Sequence, residues 1–256
     1  MPHKATEKAL ADIIHAFGEA AYQAKQTGFD GVAVHGGHGN LIRSNQRSDR
    51  WGGSLTDRAR LGLEVVREIR RRVGPVFPIM FRFSQWGWDY EAKIAANPAE
   101  LETWLVPLAD AGVDFFDAPT RRFWLPEFEG SDMNLAGWAK KITGKLAMTV
   151  GSVGLEDPLA DPFAKIGATT NNLAELIRML ERGDFVLVAV GRALLANPDW
   201  ANIVRDKRWD AIKPYDSGRL YETLGQARRR RGARAIGPPS LPDRFPNHAA
   251  KPSYDK

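Results

Sequence analysis

The sequence predicts an α/β fold of the (β/α)₈ TIM-barrel type, incomplete, with about five of the eight β/α units recognisable. Three observations lead there. Short apolar runs alternate with amphipathic helical patterns, which implies a parallel sheet, either closed as a barrel or doubly wound. Polar or glycine residues follow every apolar run: His35 and His38, then Arg82 and Ser84, Asp117, Gly151-Ser152, and Gly191-Arg192. In a barrel the C-terminal ends of all strands converge on one mouth, whereas a doubly wound sheet gathers its site at one switch point. The third observation is the count. Five runs fall short of eight, and the first recognisable element is a helix, so the opening strands of the barrel are expected to be missing.

The elements follow in order. Ile13, Ile14, Phe17, Ala20, Ala21 and Ala24 recur at helical spacing, and Gly28 stops that helix before a strand at 29–34. Ser54 reads as an N-cap for a helix whose stripe is Leu61, Val65, Val66, Ile69 and Val73. The second strand is expected at 77–84. Asn97-Pro98 opens a helix to about Ala111 that Pro107 is expected to kink. Strands at 113–117 and 146–150 come next. Leu173, Leu176, Ile177 and Leu180 mark a helix closed by Gly183, and 185–190 is a strand apolar enough to be covered on both faces. Pro198 begins a last short helix around Trp200 and Val204.

Composition bounds the chemistry. The 256 residues contain no cysteine, which excludes disulfides, thiolate metal sites and cysteine nucleophiles and suits a reducing, cytoplasmic setting. No apolar run approaches the roughly 20 residues of a membrane span, so no membrane partner is expected. The formal charge of +5 is local. Residues 214–256 hold nine Lys or Arg against four Asp or Glu, which leaves 27 of each sign in residues 1–213. The chain therefore divides into a partial barrel, 1–213, and a basic Pro/Gly/Arg-rich tail, 214–256. Arg228 to Arg231 and Arg234 are read as a solvated terminus, with no nucleic-acid partner.

Three groups carry chemistry. His35-Gly36-Gly37-His38-Gly39-Asn40 puts two imidazoles on a glycine turn after a strand. Metal binding would need a third ligand, and no acidic or His partner stands at a ligand spacing. The other use is a pair of N–H donors on an oxygen that gains charge during reaction. Arg82, inside an apolar strand, needs an anionic or strongly polar partner, either a structural carboxylate or an electron-rich cofactor ring. Gly151-Ser152 and Gly191-Arg192, at successive strand ends, suit an anion such as a phosphate, with Arg192 supplying the guanidinium.

The run from Gly28 to Gly39, with Asn45-Gln46-Arg47-Ser48-Asp49-Arg50-Trp51-Gly52-Gly53-Ser54, resembles the old yellow enzyme family, the NADH:flavin oxidoreductases. Phe81-Arg82-Phe83-Ser84, the turn from Thr149 to Gly154, and Val190-Gly191-Arg192-Ala193-Leu194-Leu195 match in order and spacing. The resemblance covers roughly residues 10 to 215. It implies an FMN barrel that passes hydride from NADH or NADPH to an activated alkene, an α,β-unsaturated carbonyl such as an enone. His35 and His38 would then hold the substrate oxygen, Arg82 the electron-rich edge of the flavin, and Gly151, Ser152, Gly191 and Arg192 its phosphate. Asn40 stands where the family has a tyrosine proton donor, and an amide cannot act as a general acid near neutral pH. The loop after Asn40 is also shorter than the family's. Two other readings stay open: a phosphate-binding aldolase or isomerase with Asp117 as base, and a non-catalytic barrel fragment or partner subunit that does not bind flavin alone. Uncovered sheet edges also allow a homo-oligomer.

Overall fold

The computed structural model describes residues 5–38, 47–86, 93–156 and 169–216. Asn40, the loop after it, and all of the tail beyond residue 216 lie outside the described residues.

Five strands form one sheet: β1 Val32–His35, β2 Ile79–Arg82, β3 Phe115–Pro119, β4 Leu146–Val150 and β5 Leu187–Ala189. They pair in the order β1-β2-β3-β4-β5, and every pairing is parallel. Each strand lies beside its sequence neighbour and the order never reverses. That is an arc of a singly wound barrel rather than a doubly wound sheet.

One face of the arc is covered by helices. Val34, Ile79, Phe81, Phe116 and Ala147 alternate onto it and are buried. Helices α1 Glu7–Gln26, α2 Leu55–Val73, α3 Pro98–Asp110 and α4 Leu135–Thr143 pack side by side over the arc. Their starts follow the sequence: the side chains of Thr6, Ser54, Asn97 and Asn134 each accept from a backbone N–H of the first turn. Gly18 lets α1 lie close on α2, since a Cβ there would come within 2.7 Å of Glu68 Cγ. The opposite face is the one a closed barrel turns inward. There Ala33 and His35 are exposed, Met80 and Arg82 are half-buried, and Leu146 and Leu187 lie open.

Several boundaries differ from the sequence reading. β1 starts at Val32, and Phe29 is exposed, because it precedes the paired segment. β2 is four residues long rather than eight, β3 is shifted toward Pro119, and β5 keeps only Leu187–Ala189. Helix α3 runs through Pro107 without interruption. In α1 the buried residues are Leu10, Gly18 and Ala21, while Ile13, Ile14 and Phe17 are half-buried. Helix α4 was not foreseen. Its signals are the Asn134 cap, Leu135, Ala136 and Ala139 on one face, and Gly144 in the left-handed region at φ 67. After α5 Leu173–Glu181 and β5 come three short helices: α6 Arg192–Ala196, α7 Trp200–Arg205 and a 3₁₀ turn at Trp209–Ala211. Leu173, Leu176 and Met179 of α5 are buried, but Leu180 is exposed, as is Ile177, which shares a cavity with Val188 of β5.

Candidate active site

The site is built on the C-terminal ends of the strands. After β1 the chain turns sharply against β2. The Gly36 amide donates to the Arg82 carbonyl at 2.7 Å, and a Cβ on Gly36 would meet the Phe81 ring at 2.5 Å. Only glycine fits there. The turn carries His38 into the left-handed region at φ 58, where its N–H donates to Ser84 Oγ at 2.6 Å. Ser84 Oγ in turn donates to the Trp86 carbonyl. The His35 and His38 rings stand 5.8 Å apart, tilted by 56°. Two imidazoles that close can share one acceptor atom between them.

Arg82 leaves β2 on the inward face. Its Nη1 donates to Asp117 Oδ2 at 2.8 Å, and its Nη2 lies 3.4 Å from His38 Nε2. Register makes this possible, because His35, Arg82, Asp117 and Met148 face one another across four strands in a single row. The guanidinium is not buried as its apolar strand suggested: a third of the side chain is exposed, because it projects toward the mouth. Its partner is the more enclosed of the two. Asp117 is 2 % exposed, burial pushes its carboxyl up, and Arg82 and then His35 oppose that shift.

The anion side is formed by β4, β5 and the loop after β3. Gly151 has φ 153, and a Cβ on it would meet the Thr120 carbonyl at 2.6 Å. Ser152 follows in the left-handed region at φ 49. Gly191 precedes α6, with open space where a Cβ would stand. Arg192 turns back into the mouth. Desolvation lowers its pKa, and its Nη1 is buried without a hydrogen-bond partner. A guanidinium N–H held away from water with nothing to bind is costly, and a phosphate dianion is the acceptor that suits it.

These pieces meet in one cavity of about 330 Å³. It is lined by His38, Arg82, Gly151, Ser152, Gly191 and Arg192, together with Thr120 and Arg121. Six of the residues selected from the sequence are thus brought together. His35 stands beside His38 at the rim, and Asn40 lies outside the described residues. Ser84 and Asp117 were visible as polar strand ends, but their tasks, holding the His38 backbone and the Arg82 side chain, emerge only across strands. Thr120 carried no such signal, since the loop 120–134 has no regular pattern. That loop is anchored by buried polar groups. Asn134 donates to the Phe123 carbonyl and to Thr149 Oγ1, and Gln85 and Lys93 both bind Glu127. Burial pushes the Glu127 carboxyl up, and Lys93 partly offsets the shift. Among the described residues, no group of three or more His, Cys, Asp or Glu side chains is placed to hold a metal.

The residues fit FMN. The orphaned Arg192 donor and the Gly151-Ser152 turn offer what a phosphate needs, and Arg82 offers a cation in the same cavity to which an electron-rich ring could bind.

The chain is 30% identical over 241 residues to an NADH oxidase of Thermoanaerobacter brockii, covering 87% of this chain and 34% of that protein. It is 28% identical over 236 residues to a cinnamate reductase of Clostridium sporogenes, covering 82% and 33%. It thus spans about a third of the length of these two curated relatives. Among solved structures, the Old Yellow Enzyme from a Pichia species superposes with a TM-score of 0.62 at 24% identity, covering 85% of this chain and 53% of that one. That likeness is one of fold, a barrel of which this chain matches about half. The model of the NADH:flavin oxidoreductase / NADH oxidase family matches residues 1–211, most of the chain, and it is to this FMN- and nicotinamide-using family, the old yellow enzyme type, that the chain belongs.

Proposed function

We propose that this chain forms the FMN- and substrate-binding part of a reductase that passes hydride from NADH or NADPH through flavin to an activated alkene. The observation that carries the reading is the buried, unpartnered Arg192 donor in the same cavity as Arg82 and the His38 turn. When bound, FMN supplies the hydride transfer itself. Gly151, Ser152, Gly191 and Arg192 hold its phosphate. Arg82 would hold the electron-rich edge of the flavin, where negative charge gathers on reduction. His35 and His38 donate to the carbonyl oxygen of an α,β-unsaturated carbonyl, drawing electron density from the alkene and preparing its β-carbon for hydride. Similarity to a protein named cinnamate reductase supports an alkene as acceptor. With Asn40 at the tyrosine position, the proton comes from water.

The test is an absorbance scan and flavin titration of the purified chain. Bound oxidised flavin gives a yellow protein, and oxidation of NADH or NADPH with an enone completes the assignment. A chain that takes up no FMN at saturating flavin, even with a supplied segment of further β/α units, would refute it. No helix among the described residues is long and apolar enough to cross a membrane, and the lack of cysteine suits a reducing compartment such as the cytoplasm.

A further inference from the structure

We propose that Asp117 is a positioning residue that tunes the flavin site: its carboxylate holds Arg82 at the mouth and cancels part of the guanidinium's charge there. Arg82 then stabilises the two-electron-reduced, anionic flavin less than an unpaired arginine would. The inference rests on the flavin reading above and concerns how that site is regulated.

Three observations carry it. Asp117 is almost fully buried, yet it points to the inward face, in the row that also holds His35 and Arg82. Removing this carboxylate would leave the Arg82 guanidinium without its charge partner at the mouth, so the charge that Arg82 presents there depends on Asp117. Second, Asp117 satisfies only one oxygen. Oδ2 accepts from Arg82, while Oδ1 is buried without a hydrogen-bond partner. A purely structural anchor normally has both oxygens satisfied, so this one is held at a cost. Third, Arg82 has a second contact, with its Nη2 toward His38 Nε2 at 3.4 Å. The guanidinium thus spans from the carboxylate to the substrate-side imidazole. Because arginine cannot give up its proton, the charge felt at the mouth is set by the state of its partner. A negative charge in direct contact with Arg82 lowers the positive potential that an anionic ring edge would meet.

The experiment compares FMN affinity in its oxidised and dithionite-reduced forms for the full chain and three variants. Asp117→Asn removes the charge and keeps the shape. The ratio of oxidised to reduced Kd is expected to rise about tenfold, equivalent to about 30 mV in the two-electron midpoint potential. Asp117→Ser removes the charge with a different shape and should shift the ratio in the same direction, so a folding defect in one variant leaves the other as a readout. Asp117→Glu keeps the charge and should leave the ratio near wild type. An unchanged or lowered ratio in both uncharged variants overturns the role of Asp117 while leaving the flavin assignment intact. A wild-type chain that binds FMN in neither form at saturating flavin, even with a supplied segment of further β/α units, overturns the flavin assignment, and this inference with it.

Discussion

Arg192 is the residue on which the anion site turns. Its Nη1 is buried and unpartnered, so a phosphate placed there gains a charge-assisted hydrogen bond that water does not supply. Arg192→Ala is expected to weaken FMN binding by about 1.5–3 kcal/mol, read by fluorescence titration. Unchanged affinity would remove Arg192 from the site. The second prediction at this scale concerns the proton. If Asn40 leaves the alkene without an acid, wild-type turnover is slow, and Asn40→Tyr raises the rate by up to about 10²-fold. Steady-state rates with a poor enone decide it, and a wild type already as fast as the variant would show that Asn40 costs nothing. Both residues were legible from motif position alone. Ser84 and Asp117 were visible as polar strand ends, but their tasks were not, because each acts on a residue more than thirty positions away.

Among the elements, α4 shows how a polar residue can bind a helix to the site. Asn134 caps the helix through its Oδ1, while its Nδ2 reaches the Phe123 carbonyl and Thr149 Oγ1, and the side chain is fully buried. Asn134→Ala removes the cap and leaves those acceptors unsatisfied. A loss of about 2–3 kcal/mol in urea unfolding is expected, above the ~1 kcal/mol of an exposed cap. A loss under about 1 kcal/mol would mean that the buried contacts contribute nothing. The α1–α2 contact carries an acid-sensitive term instead. Hydrogen bonds from Arg71 and then Arg72 hold Glu68 down at about 2, from an ordinary value of 4.5. A depressed carboxylate stabilises the fold above its unfolded value, and that stability fades as pH falls toward about 2. Glu68→Gln should therefore cost at most about 1 kcal/mol at neutral pH, because the pair is near solvent, and nothing at the acid end. Denaturation of both proteins across that range checks the sign. A difference that grew on acidification would contradict it.

For the whole molecule, the described strands make an arc with two unpaired edges. Val32–His35 has a neighbour on one side only, and so does Leu187–Ala189. At or beside the second edge, Ile177, Leu187 and Leu194 are exposed. Bare edges with apolar flanks favour association, and an open site lets water weaken its polar contacts. The isolated 256-residue chain is therefore expected to bind FMN weakly and to elute as an oligomer or aggregate in size-exclusion chromatography with light scattering. A supplied segment carrying three further β/α units should restore a monomer that holds flavin. A monomer that already binds one FMN tightly would contradict this.

Local rules were enough to determine the parallel α/β class, the helix starts at Ser54 and Asn97, and the glycine turns. Capping, amphipathic spacing and steric demand at glycine act over a few residues, so they can be read from neighbours in the chain. Strand ends were legible only approximately, because a strand ends where its partner ends, and Phe29 and Phe77 had no partner to pair with. Helix α4 escaped because Leu135 is the one large residue on its buried face, beside Ala136, Gly137 and Ala139, whereas α5, also nine residues long, carries Leu173, Leu176, Ile177 and Leu180. The contacts of its Asn134 cap to Phe123 and Thr149 exist only in the folded chain. The strand order, the row that joins His35, Arg82 and Asp117, and the orphaned donor of Arg192 were decided by tertiary structure. Each depends on register and burial between segments far apart in the chain, which no local spacing encodes.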